Sequence, residues 1–89
     1  MADIEVVATG AGAYAVRVTD DGSTSEHTVT LDEADRLRLA GGFDRAEDFV
    51  RACFEFLLAR EPREQILREF DVSVIPRYFP EFEEEIRKG

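Results

Sequence analysis

Two side chains in this 89-residue chain have the chemistry of a nucleophile and a base, Cys53 and His27, and each is the sole residue of its type. A working pair needs hydrogen-bond contact, a third group that orients the imidazole, and donors for a developing oxyanion. The surrounding sequence argues for quieter roles. Cys53 stands among Val50, Phe54 and Leu57, the setting of a small core residue. His27 shares a strand face with Val16 and Val29, as a half-buried edge histidine does. Structural zinc takes four Cys or His ligands and the chain holds two such residues, so no structural zinc site is expected. One cysteine also excludes an internal disulfide framework.

The twenty carboxylates make some close pairs inevitable, but none falls in a metal-loop pattern. Asp20-Asp21-Gly22 lacks the alternating acids and the twelfth-position glutamate of a calcium loop, and reads as a hairpin turn. Gly10-Ala11-Gly12 leads into a strand, whereas phosphate-cradling loops lead into a helix N-terminus. Catalytic residues, metal and cofactor are therefore all expected to be absent, and a non-enzymatic role follows.

The segment Ile66-Leu67-Arg68-Glu69-Phe70-Asp71-Val72-Ser73 resembles the first helix and turn of a helix-turn-helix, which makes a DNA-binding regulator using residues 63–79 the alternative reading. Its second helix is poor. Pro76 and Pro80 shorten it, Arg77 is its only base, and Glu81, Glu83, Glu84 and Glu85 follow where phosphate contacts are wanted. Eleven Lys and Arg against twenty Asp and Glu give a net charge of −9. The acids are spread over both halves of the chain, so the field repels nucleic acid and anionic membranes.

Positioning these residues requires elements. Residues 3–9, 13–19 and 24–31 alternate in polarity and are rich in Thr and Val, as strands are. Asp21-Gly22 supplies the positive φ of a two-residue hairpin, pairing Val16 with His27 and Tyr14 with Val29. A three-residue first turn, Gly10-Ala11-Gly12, puts Ile4, Val6 and Ala8 on the same apolar face. The other face, with Glu5, Arg17, Glu26, Thr28 and Thr30, is expected to be wet.

A short helix follows Asp32, with Leu37 and Ala40 inward and Gly41-Gly42 as its stop. Asp44 and Glu47 then frame a capping box for a long helix running to Arg60. Its apolar positions, from Ala46 through Phe49, Val50, Cys53 and Phe54 to Leu58, leave only Glu47, Asp48, Arg51 and Glu55 for water. Pro62 opens a third helix with Ile66, Leu67 and Phe70 inward, Asp71-Val72-Ser73 makes a tight turn, residues 74–79 form one or two helical turns, and Pro80 starts a last helix carrying Phe82 and Ile86.

The predicted fold is α+β: one domain over residues 1–89, with a three-stranded antiparallel meander in 1–31 and four to five helices in 32–89 packed on one face. No apolar run spans a bilayer and the first residues lack the pattern of a secretory leader, so the expected compartment is the cytoplasm. All seven Phe lie between positions 43 and 82. A core this small is expected to leave some of them outside, since a short chain covers little surface. Phe56, Tyr78, Phe79 and Phe82, rimmed by Arg77 and Glu81, are the predicted interface for a protein partner or a second copy of the chain.

Overall fold

A computed structural model describes residues 2–88. Three strands open the chain, β1 (Asp3–Gly10), β2 (Ala13–Asp20) and β3 (Ser23–Thr30), in an antiparallel meander. Two turn sequences set its register. Asp21 and Gly22 both take positive φ, 51° and 78°, the mirror-image turn whose twist matches that of paired strands. Val16 thus faces His27 and Tyr14 faces Val29. At the first turn the pairing Ile4–Val18, Val6–Val16 and Ala8–Tyr14 is the three-residue register, and it is closed by an irregularity between Ala8 and Gly10. Gly12, at φ 71°, has the Leu31 carbonyl oxygen 2.8 Å from where a Cβ would stand, so only glycine fits there.

Period-two alternation then sorts the sheet's faces. Ile4, Tyr14, Val16, Val18, His27 and Val29 are buried, while Glu5, Val7, Ala15, Arg17, Glu26, Thr28 and Thr30 are exposed. The buried residues of the described helices join this face in one core cluster. The central helix is α2 (Ala46–Leu58), which buries Phe49, Val50, Cys53, Phe54, Phe56 and Leu57 and turns Asp48, Arg51 and Glu55 to water. Each large apolar side chain fully enclosed this way contributes about 1.5–3 kcal/mol. The capping box does not form. Arg45 occupies the N-cap without a side-chain bond to the backbone, and Glu47 meets its guanidinium at 3.3 Å.

The helix α1 (Glu33–Leu39) is only seven residues long and touches the core through its last turn. Leu39 and Ala40 are buried and Leu37 is 70% exposed, the reverse of the expectation for Leu37. Arg38 bridges from this helix to Glu83, at 2.7 Å, and thereby helps to set its rotation.

The largest departure from the sequence reading follows Pro62. A third helix is absent; instead a 3-10 turn (Arg63–Gln65) leads into β4 (Glu69–Asp71), which pairs parallel to β3. The sheet is therefore mixed, in the order β1-β2-β3-β4, and four-stranded among the described residues rather than three-stranded. Tertiary bonds outweigh the helical pattern here. Thr28 N donates to Arg68 O at 2.7 Å, the Thr30 hydroxyl donates to Asp71 at 2.6 Å, and Phe70 lies 5.9 Å from the Phe54 ring. The tight turn does form: Asp71 Oδ1 accepts from Ser73 N at 3.0 Å. Beyond it come α3 (Ile75–Tyr78) and α4 (Phe82–Lys88), the latter burying Phe82 and Ile86. No helix among the described residues is long and apolar enough to cross a membrane.

Candidate functional site

Two of the predicted interface residues belong to the core. Phe82 is fully buried and Phe56 nearly so, their rings edge-to-face with centroids 5.1 Å apart. Phe79 closes the group at 5.8 Å from Phe56. Arg60 lies over the Phe56 ring, its guanidinium carbon 3.6 Å from the centroid, and reaches Glu81 through Nε at 3.2 Å. This cluster seals the joint between α2 and α4. The surface-to-volume argument failed for these rings because α4 folds back across the end of α2. Glu81 is thereby tied down: hydrogen bonds from its own backbone and from Arg60 hold its carboxyl below the usual range.

Tyr78, Arg77 and Glu81 do reach the surface, and Tyr78 is 70% exposed. Tyr78 forms one wall of a groove of about 370 Å³. Three elements build it. The end of α2 supplies Leu57; the extended stretch into β4 supplies Ile66, Leu67 and Phe70; and the turn with α3 supplies Val74, Ile75, Tyr78 and Phe79. Besides the Tyr78 hydroxyl, Glu61 and Gln65 are the only polar residues lining it. The Glu61 carboxylate has no salt bridge or side-chain hydrogen bond among the described residues. Leu67, half exposed, also belongs to this lining.

His27 fixes the inner wall of this groove from behind. It is fully enclosed, not half-buried as its edge position suggested, because β4 covers the edge of β3. Its Nδ1 lies 2.8 Å from Leu67 O, and a carbonyl only accepts, so Nδ1 carries the proton. Nε2 sits 3.0 Å from the Ser25 hydroxyl, and the ring lies 5.3 Å from that of Phe54. Both imidazole nitrogens are thus engaged, Nδ1 with the Leu67 carbonyl and Nε2 with Ser25. Cys53, also buried, has its thiol pushed up by desolvation, as expected of a core residue.

The residues proposed for a helix-turn-helix do not adopt one. Residues 63–79 form a 3-10 turn, a strand, a second 3-10 turn over Val72–Val74 and a four-residue helix, so neither helix of the motif has the required length. Elsewhere, a hollow of about 550 Å³ gathers Asp32, Glu33, Asp35 and Asp71 beside Gly12. Among the described residues no three His, Cys, Asp or Glu side chains converge as metal ligands would.

Of the six residues named from the sequence, Tyr78 and Phe79 line this groove, while Leu57, Glu61, Ile66 and Leu67 line it without having been named. No local signal marked them, because the eight residues between Pro62 and Asp71 keep helical spacing and exceed the seven of α1 or α4. Comparison with protein-family models, curated proteins and solved structures gives no match.

Proposed function

We propose that this chain is a protein-interaction module whose groove receives an apolar segment of a partner protein carrying a cationic side chain. One observation carries the reading: a surface groove whose lining is apolar except for Gln65, the Tyr78 hydroxyl and Glu61, which has no ion pair among the described residues, with half-exposed Leu67 and exposed Tyr78 in its walls. Exposed apolar residues grouped around a concave site favour a partner, since water gains when they are covered. A tyrosine in such a wall supplies a large, stiff contact surface with a polar tip. The single negative charge in the lining selects a Lys or Arg on the incoming segment, and the net charge of −9 draws basic partners generally. A binding role also agrees with the placement of the chain's imidazole and thiol, which are both buried in the core.

The test is selection of peptides from a random display library on the immobilised full chain, counter-selected on the Leu67→Asp variant. Enriched peptides should combine apolar residues with a Lys or Arg. Their affinity should fall about tenfold or more on Tyr78→Ala and fall on Glu61→Gln, with the circular dichroism spectrum unchanged. Absence of enrichment, or peptides that bind the Leu67→Asp variant equally well, refutes the groove as a binding site.

A further inference from the structure

The sheet has two edges of unequal length. At one lies β4, three residues long; at the other lies β1, eight residues long, bonded to β2 on one side only. Among the described residues no backbone hydrogen bond reaches β1 from its outer side. Only Ile4 in this strand is buried, and Val7 is 60% exposed. A long edge with open donors and acceptors is a template for another strand.

We propose that β1 pairs antiparallel with β1 of a second copy of the chain, about a two-fold axis at Val6, joining two four-stranded sheets into one of eight strands. This goes beyond the groove reading and is independent of it. The register follows from three constraints. Continuity of the apolar face requires that residues of like parity oppose one another. The regular stretch of β1 ends where the pairing with β2 shifts after Ala8, so its centre lies between Glu5 and Val6. The axes nearest that centre and consistent with parity pass through Glu5 or through Val6. An axis at Glu5 sets two like charges against each other, which is unfavourable in directly opposed positions.

With the axis at Val6, Val6 meets the partner's Val6, Ile4 meets the partner's Ala8, and Glu5 meets the partner's Val7. Asp3 then faces the partner's Thr9, so no acid opposes an acid along the seam. The strand's charge is arranged for this: both acids lie in its first half and the second half is neutral. A parallel pairing would set Asp3 and Glu5 beside their own copies. The arrangement covers the exposed side chain of Val7 with the stem of the partner's Glu5.

Sedimentation equilibrium of the full chain near physiological salt tests this, with Val7→Glu and Val7→Arg as probes. Val7 faces solvent, so both variants should fold, which their thermal melts report. The wild type should dimerise reversibly. Val7→Glu places two glutamates against the partner's Glu5 residues, once on each side of the axis, and should raise the dissociation constant about fivefold. Val7→Arg creates two opposite-charge pairs at the same places and should lower it by a similar factor. A wild type that stays monomeric overturns the proposal, and so does a dimer indifferent to Val7→Glu. Weakening by Val7→Arg overturns the register, because it puts Val7 opposite itself.

Discussion

Replacing His27 by alanine should weaken the fold by about 3 kcal/mol and loosen the groove's inner wall before the rest of the sheet. The estimate is built from the contacts. The Nδ1 bond to Leu67 O at 2.8 Å and the Nε2 contact with Ser25 at 3.0 Å are worth about 1 kcal/mol each. Losing the packing of the ring against Phe54 adds about 1 kcal/mol more, which puts the total at the low end of the roughly 3–5 kcal/mol found for truncating larger aromatic side chains. A domain of this size is stable by roughly 4–13 kcal/mol, so the loss is a substantial share. Urea titration followed by circular dichroism gives the global cost. The local effect is read from exchange of the Thr28 amide, which donates to Arg68 O at 2.7 Å, next to the carbonyl that His27 holds. His27→Asn should recover part of the loss, because its amide nitrogen can stand where Nδ1 stood, whereas His27→Leu keeps bulk but leaves the Leu67 carbonyl unpaired. A cost below about 0.5 kcal/mol for His27→Ala, the size of a surface change, would refute the account. So would an asparagine variant no better than the leucine one.

Phe82→Ala removes a fully buried ring edge-to-face with Phe56 and should cost about 3–5 kcal/mol in the same titration, while Tyr78→Ala should stay within about 0.5 kcal/mol of the wild type. Gly12→Ala must fit a methyl group 2.8 Å from the Leu31 carbonyl at φ 71°, and a drop in thermal midpoint matching about 1–3 kcal/mol is expected. For Asp71, partial burial favours the neutral acid, but bonds from the Thr30 hydroxyl and from Ser73 outweigh it and hold the carboxyl below its ordinary 3.8. The native chain therefore binds this proton less readily than the unfolded one. The stability it contributes is complete above that ordinary value and is lost as pH falls through the lowered native value. Thr30→Val should flatten that part of the acid limb in chemical denaturation between about pH 5 and 2. Cys53 should resist a thiol reagent in the native protein and react at the rate of unfolding, since it is buried and its thiolate is suppressed by desolvation.

Local chemistry made the meander legible. Asp21-Gly22 admits one two-residue hairpin, and once Val16 faces His27 the alternation of β2 and β3 leaves a single choice of inner face. The long apolar pattern of α2 was equally plain, because six of its thirteen residues need cover on adjoining faces. Its start was not, since a capping box is a preference of about 1 kcal/mol that the approach of the chain through Arg45 overrides. β4 was illegible for a related reason. Ile66, Leu67 and Phe70 satisfy helical spacing, and nothing within residues 62–73 announces that Thr28 and Thr30, some forty positions earlier, offer it hydrogen bonds. Parallel pairing is a long-range property, and the periodicity of a short segment does not encode it.

The same cause separates the aromatic residues that reach the surface from those that do not. Aromatic content pointed to the C-terminal third, but composition does not say which ring an element folds over. Phe82 went inward because α4 reaches back to α2, where Arg60 stacks on Phe56 and binds Glu81 in one geometry. Tyr78 was left outside because α3 is a single turn ending at Tyr78, too short to rotate both aromatics into the core. The groove and the closed side of the sheet thus arise from one event, the entry of β4 beside β3. It converts an apolar segment into a groove wall held by His27 and closes one side of the sheet, which leaves β1 as the only long edge among the described strands. His27→Ala should therefore disturb peptide binding in the groove while leaving the β1 amides as protected as in the wild type, since β1 and β2 pair without β4. Equal loosening of both edges would mean that the sheet opens as one unit and that His27 is not a local fastener.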